Sequence, residues 1–168
     1  SHTMGPMTAA ARFLDLLRDP GERAPGAGAP ARLVCRLHGS LAFTGRGHGT
    51  DRAVLLGLCG FRPETLDPEA AEAAEAAARR TRRVRPEALP DLAFDPDADL
   101  VFDYGPPLPG HTNGMALEAR DARDVVVARE IYYSIGGGFV LTERELDHAG
   151  EAEADTAPVP YPFRSAAE

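Results

Sequence analysis

The sequence predicts an α/β domain of the α+β kind, with a mixed, mainly antiparallel sheet packed by helices. Three observations carry that prediction: helical spacing of apolar residues in the first half, two-residue alternation over 32–38 and again over 113–120, and a β-branched and aromatic run over 125–134. The order is helix, strand, helices, then several strands. A length of 168 residues fits one domain with a single modest core, and the 17 glycines and 15 prolines imply that part of the chain is connector.

Ala11, Leu14 and Leu17, thickened by Ala10 and Phe13, recur at helical spacing from Met7 and predict an amphipathic helix ending near Asp19-Pro20. Residues 21–30 read as a flexible loop. Leu33, Cys35 and Leu37 then alternate with Arg32, Val34 and Arg36, the period of a half-buried strand that delivers His38-Gly39-Ser40 at its end. A glycine-rich turn over Thr44–Gly49 leads into a helix over Thr50–Leu58, with Thr50 as its N-cap, Asp51 in its first turn and Gly60 placed to end it. Asp67-Pro68-Glu69 supplies a cap, an N1 proline and a first-turn acid to an Ala/Glu helix that finishes in an arginine run over 79–85.

In the second half, Leu100–Tyr104 is a short strand. Met115, Leu117 and Ala119 mark a clearer one over Asn113–Arg120, and Asp121–Asp124 turns the chain into Val125–Ser134, so the pair reads as an antiparallel hairpin. Gly136-Gly137-Gly138 breaks it before a last strand over Phe139–Thr142. After Arg144 the composition turns acidic and then proline-rich, which sets residues 1–146 as the domain and 147–168 as a linker. Ser165 and Glu168 have the spacing of a capping box, as if another element were about to begin.

A net charge of −8 argues against a nucleic-acid partner, and the arginine run reads as the cationic end of a helix. No apolar run approaches a membrane span and no signal segment opens the chain. Two cysteines, Cys35 and Cys59, each among apolar neighbours, fit a reduced cytoplasmic protein and small core residues. No histidine has metal-ligand spacing, so no metal is expected on this chain.

Three glycine-containing turns sit beside a hydroxyl or an imidazole: Ser1–Pro6, Gly45–Asp51 and Ser134–Gly138. Two of them precede helices, whose unpaired N–H groups and dipole favour an anion, so a small carboxylate is a sensible guest. Glycine turns of this kind are also commonly structural. His48, flanked by Gly47 and Gly49 at a helix entrance, is the titratable residue best suited to general-base work, with an exposed loop histidine as the alternative. Composition and spacing name no reaction.

His38-Gly39-Ser40-Leu41-Ala42-Phe43-Thr44-Gly45-Arg46-Gly47-His48-Gly49-Thr50-Asp51 resembles the "GSLA-x-TGKGHGTD" signature of bacterial iron–sulfur L-serine dehydratases. Tyr132–Phe139 is similar to that family's "YYSIGGGF", and His111-Thr112-Asn113-Gly114-Met115 to its "HPNGM" or "HSNGM". Ser1–Met7 resembles the tail of "GPSSSHT-x-GPM", and 159–168 the segment leading into the catalytic α domain. The resemblance implies the β domain of such an enzyme, similar to the allosteric substrate-binding domain of some phosphoglycerate dehydrogenases. It implies deamination of L-serine to pyruvate and ammonia with a four-iron, four-sulfur (4Fe-4S) cluster held by the α domain, so that this chain alone is inactive.

Carried over residue by residue, the resemblance makes His48 the base for the serine α-proton, with Thr50 and Asp51 orienting substrate or histidine. Ser1, His2, Thr3, Ser134, Gly136, Gly137 and Gly138 become contacts to substrate or to the domain interface. Arg46 stands where the family usually has lysine and keeps the charge. Two other readings compete: a regulatory module that binds serine without taking part in chemistry, and a dimerisation domain. A homodimer is the expected assembly, with the hydrophobic edge over 125–133 as the place to look for it.

Overall fold

The computed structural model describes residues 3–155, in the order α1 (Met4–Arg18), β1 (Pro30–Leu37), α2 (Ser40–His48), α3 (Thr50–Leu58), α4 (Pro68–Thr81), β2 (Arg83–Val84), β3 (Leu92–Ala93), β4 (Leu100–Phe102), β5 (Gly114–Asp121), β6 (Val126–Gly136), β7 (Phe139–Thr142) and α5 (Glu143–Asp155). The seven strands form one sheet in the order β2-β3-β1-β5-β6-β7, with β4 also paired to β1. Only β1–β3 and β1–β4 are parallel; β2–β3, β1–β5, β5–β6 and β6–β7 are antiparallel. This is the α+β architecture the patterning predicts.

The core lies between one sheet face and α1 and α3. Leu33, Cys35 and Leu37 of β1, Leu117 and Ala119 of β5 and Tyr132 of β6 meet Phe13, Leu14 and Leu17 of α1 and Val54, Leu55 and Leu58 of α3. Burying side chains of this size stabilises by about 1.5–3 kcal/mol each. Small residues let the two helices approach closely, because a Cβ on Gly57 would lie 2.5 Å from the Met7 carbonyl oxygen and 2.6 Å from Ala10 Cβ. Five residues further along each chain, Arg62 pairs with Asp15. Both contacts advance in the same direction, so α1 and α3 run parallel and start at the same end of the layer.

Several elements differ from the sequence expectation, among them α4, which ends at Thr81 before the arginine run is complete, and the short strands β2 and β3, which the patterning did not predict. Helix α1 begins at Met4 rather than Met7, because first-turn N–H groups have no intrahelical acceptor and Pro6 costs nothing there. The glycine-rich turn is the second half of a helix, α2, which ends at Gly49 in the left-handed conformation (φ 72°) with its N–H donating to the Gly45 carbonyl. Gly49 is therefore the N-cap of α3, and Thr50 is its first, fully buried residue. Residues 147–155, expected as linker, continue α5; the expected capping box over 165–168 lies outside the described residues.

The remaining loop and edge readings also change. Residues 21–30 are tied down, with a 3-10 turn at Pro20–Glu22, Ala24 N–H donating to Val127 O (2.7 Å) and Gly28 N–H to Asp121 Oδ2 (2.9 Å). Within 125–133, β6 pairs with β5 from Val126 onward but with β7 only from Tyr132, so residues 126–131 keep one side of the strand outside the sheet ladder, where Ala24 N–H donates to Val127 O; Tyr132 and Tyr133 are buried while Val125 and Val126 are exposed. The expected edge is therefore confined to the first half of β6.

Candidate active site

Strand β1 ends at Leu37, opposite Met115 near the start of β5, and Gly114 pairs with Tyr133 near the end of β6. Three backbone hydrogen bonds close this end of the sheet: His38 N–H to Gly114 O, Ser40 N–H to Thr112 O and Ser134 N–H to Asn113 O, each 2.9 Å. Gly39 turns the chain from β1 into α2 with φ 55°, and a Cβ there would sit 2.1 Å from the Thr112 oxygen. Only glycine fits both the angle and the space.

Helix α1 begins over the same corner. A Cβ on Gly5 would lie 2.0 Å from Ser134 Oγ, and one on Gly138 would lie 3.2 Å from Met4 Cε. The first turn of α1 thus rests directly on the Ser134–Gly138 segment, bringing Thr3 beside it. Ser134 is buried, and Gly136, Gly137 and Gly138 all have positive φ where β6 turns into β7. Because α3 runs parallel to α1 and both start at this end, the His48-Gly49-Thr50 junction lies at this end of the helix layer. Two helix starts therefore present their N–H groups there.

His48 is exposed at the last residue of α2, whereas Thr50 is buried beneath Gly45, at which a Cβ would lie 3.2 Å from Thr50 Cβ. Asp51 turns to the flank of this corner, 3.9 Å from Arg79 of α4. Arg46 lies over the Phe102 ring at 4.6 Å from its centroid, a cation–π contact that fastens α2 to β4. Ser1 and His2 lie outside the described residues. Of the sequence candidates, the fold gathers Thr3, Ser134 and Gly136–Gly138 into direct contact with one another's segments and sets Asp51 apart.

Two residues at this corner were quoted in the sequence motifs but given no role there. His38, half-buried at the end of β1, has its pKa lowered mainly by burial, which outweighs the opposing pull of Asp103 3.7 Å away. Asn113 keeps its side-chain oxygen buried without a hydrogen-bond partner. Asn-Gly before a strand reads as ordinary turn chemistry, so no sequence signal separated Asn113 from its neighbours.

The cysteines do not suit metal ligation. Cys35 is fully buried in β1 with its thiol pKa pushed up by burial, and the Cys59 thiol is pushed up to about 11 by burial and by Glu75. A ligand thiol must be deprotonated, and among the described residues no three His, Cys, Asp or Glu side chains cluster as a metal site. This donor set does not fit an iron–sulfur cluster. No helix among the described residues is long and apolar enough to cross a membrane.

A family model described as the serine dehydratase beta chain matches residues 1–145. The chain is 42% identical over 168 residues to an L-serine dehydratase of Helicobacter pylori (strain J99 / ATCC 700824) and 41% over 168 residues to one of Streptomyces coelicolor. It is 37% identical over 169 residues to L-serine dehydratase 1 of Escherichia coli K12. All of this chain is covered in each comparison, but only 35%, 36% and 35% of those relatives, so the chain spans about a third of their length.

Proposed function

The chain belongs to the serine dehydratase beta-chain family, and we propose on that premise that it forms one wall of an active site that deaminates L-serine to pyruvate and ammonia. The observation that supports this best is the convergence at one sheet end of an exposed histidine, two helix starts and the Ser134–Gly138 turn. The helix starts and turn N–H groups suit the substrate carboxylate. Thr3 and Ser134, with Gly136, Gly137 and Gly138, are the proposed substrate contacts, and Ser1 and His2 extend that set in sequence.

His48 then accepts the α-proton of serine, and the electron pair left on Cα forms a double bond to Cβ as the β-hydroxyl departs. The resulting enamine becomes an imine by proton transfer to Cβ, and water hydrolyses it to pyruvate and ammonia. Thr50, buried under Gly45, fixes the junction that carries the imidazole, and Asp51, paired with Arg79 at the flank, fastens that junction to α4. The 4Fe-4S cluster of the resemblance is assigned to the remaining two thirds of the full-length protein, the catalytic partner of this chain. The role of this chain is confined to moving the proton and orienting the substrate. The two unpaired cysteines suit a reducing compartment, and the cytoplasm is the proposed location.

The test is His48→Ala in the full-length protein. Turnover of serine should fall by a factor of about 10² to 10⁴, the usual contribution of a general base, with the circular dichroism spectrum of the variant matching that of the wild type. A variant that retains wild-type kcat would overturn the assignment.

A further inference from the structure

We infer that the groove between the end of α4 and β2 is a binding site for a small organic anion with an apolar body, gripped by Arg80, Arg83 and Arg85. The arginine run over 79–85 is only partly the cationic end of a helix. Helix α4 stops at Thr81, Arg82 takes the left-handed conformation (φ 57°), and β2 begins at Arg83. Arg79 turns back to Asp51 and Glu75, and Arg82 pairs with Asp95. The other three arginines line a cavity of about 260 Å³. Buried Ala78 and Val84 with half-buried Ala74, Ala77 and Cys59 form its floor, and the exposed guanidinium side chains form its rim.

The chain as a whole carries a net charge of −8, yet among the described residues no carboxylate lines this cavity. The Arg80 guanidinium has no partner among the described residues, and that of Arg83 meets only the Asp91 carbonyl, at 3.4 Å. Arg85 pairs with Asp91 at 3.2 Å. Glu75, whose charge reaches Cys59, is held by Arg52 and Arg79. The carbonyl end of α4 adds about half a negative charge, and it is already served: the Thr81 hydroxyl donates to Ala77 O at 2.8 Å and Arg82 N–H to Ala78 O at 2.7 Å. Three guanidiniums against one carboxylate leave the rim positive. Planar guanidinium forks match carboxylate and phosphate oxygens, and the floor takes an apolar group out of water. Sites for drug-sized ligands run from about 300 Å³ upward, so this one suits a single ring or a short branched chain. Arg83 pairs with Ala93 and Ala93 with Arg32, which puts the groove at the opening end of β1. Leu37, where the candidate active site begins, is five residues along that strand, about 16 Å away. A serine bound at that corner does not reach the groove.

Calorimetric titration of the full-length protein with benzoate, phenyl phosphate, benzyl alcohol and acetate tests the site. Benzoate or phenyl phosphate should bind with a dissociation constant of about 1 mM or below, and the tighter of the two names the anion. Benzyl alcohol lacks the charge and acetate lacks the ring, so both should bind more weakly by a factor of about ten or more. Replacing both free guanidiniums, Arg80→Ala with Arg83→Ala, should weaken the aryl anion about tenfold to a hundredfold, as for loss of hydrogen bonds to a charged group. The KM for serine should stay at its wild-type value, and because both side chains are exposed the variant keeps its fold. Ala77→Leu, which fills the floor and leaves every charge in place, should weaken the aryl anion as well. No binding of either aryl anion by the wild type, binding that either variant leaves unchanged, or equal affinity for acetate and benzoate would overturn the proposal.

Discussion

At the scale of single residues, the contact between Gly5 and Ser134 is the tightest at the candidate site. Gly5→Ala would place a methyl 2.0 Å from Ser134 Oγ, closer than any real contact, so the helix start must shift. Overpacking of this kind costs about 1–3 kcal/mol. Ser134→Gly should restore much of that loss in the double variant, and chemical denaturation of the four proteins measures the coupling; simple additivity would show that the two do not meet. The glycines and the serine were visible in the sequence as separate turns. Their contact was not, since no periodicity links the fifth residue to the hundred and thirty-fourth. Asn113 was quoted only within a motif, because an acceptor lacking a donor is a property of surroundings rather than of residue type.

At the scale of elements, α2 is the instructive case. Glycine disfavours helix by about 1 kcal/mol relative to alanine, so Gly45 and Gly47 read as a turn, yet the helix forms because both its ends and its buried side are held. Gly45 is tightly packed, a Cβ there lying 3.1 Å from Phe102 and 3.2 Å from the buried Thr50, whereas Gly47 has nothing within 4 Å and a negative φ. Gly47→Ala should therefore stabilise the fold by about 0.5–1 kcal/mol, and Gly45→Ala should destabilise it; thermal melts of the two variants check the opposite signs. By contrast β1, β5, β6 and α4 follow their patterns closely, since their apolar spacing matches the face each one buries. The N-cap of α4 is also as read, Asp67 accepting from Glu69 N–H at 3.1 Å.

At the scale of the whole molecule, three buried or half-buried groups set the response to acid. The lowered pKa of His38 means that the fold favours its neutral form, so its contribution is complete above 6.5 and is lost as pH falls from there through the lower folded value. Asp121 accepts from Gly28, Val125 and Arg123 N–H groups, led by Gly28, which holds its pKa below 3.8; that contribution is lost only as pH falls further. Glu130 has the opposite sign, because burial raises its pKa above 4.5 and its contribution is present below that value and lost as pH rises through the folded one. Melting temperatures should thus begin to fall just below pH 6.5, and His38→Asn should remove that first step while leaving the steeper loss at low pH. An unchanged profile between pH 5 and 7 in the variant would assign the step elsewhere. The sequence by itself determined the fold class, the succession of α1, β1, α3, α4 and the strands β4 to β7, and the family, since periodicity, caps and contiguous motifs are local and need no knowledge of neighbours. Only the tertiary structure decided that the glycine-rich stretch before Thr50 is helical, that β7 covers β6 only from Tyr132 onward, and that the two ends of the chain's motifs share one corner. Those outcomes depend on which surfaces meet, and burial and packing then outweigh local preferences of about a kilocalorie per residue.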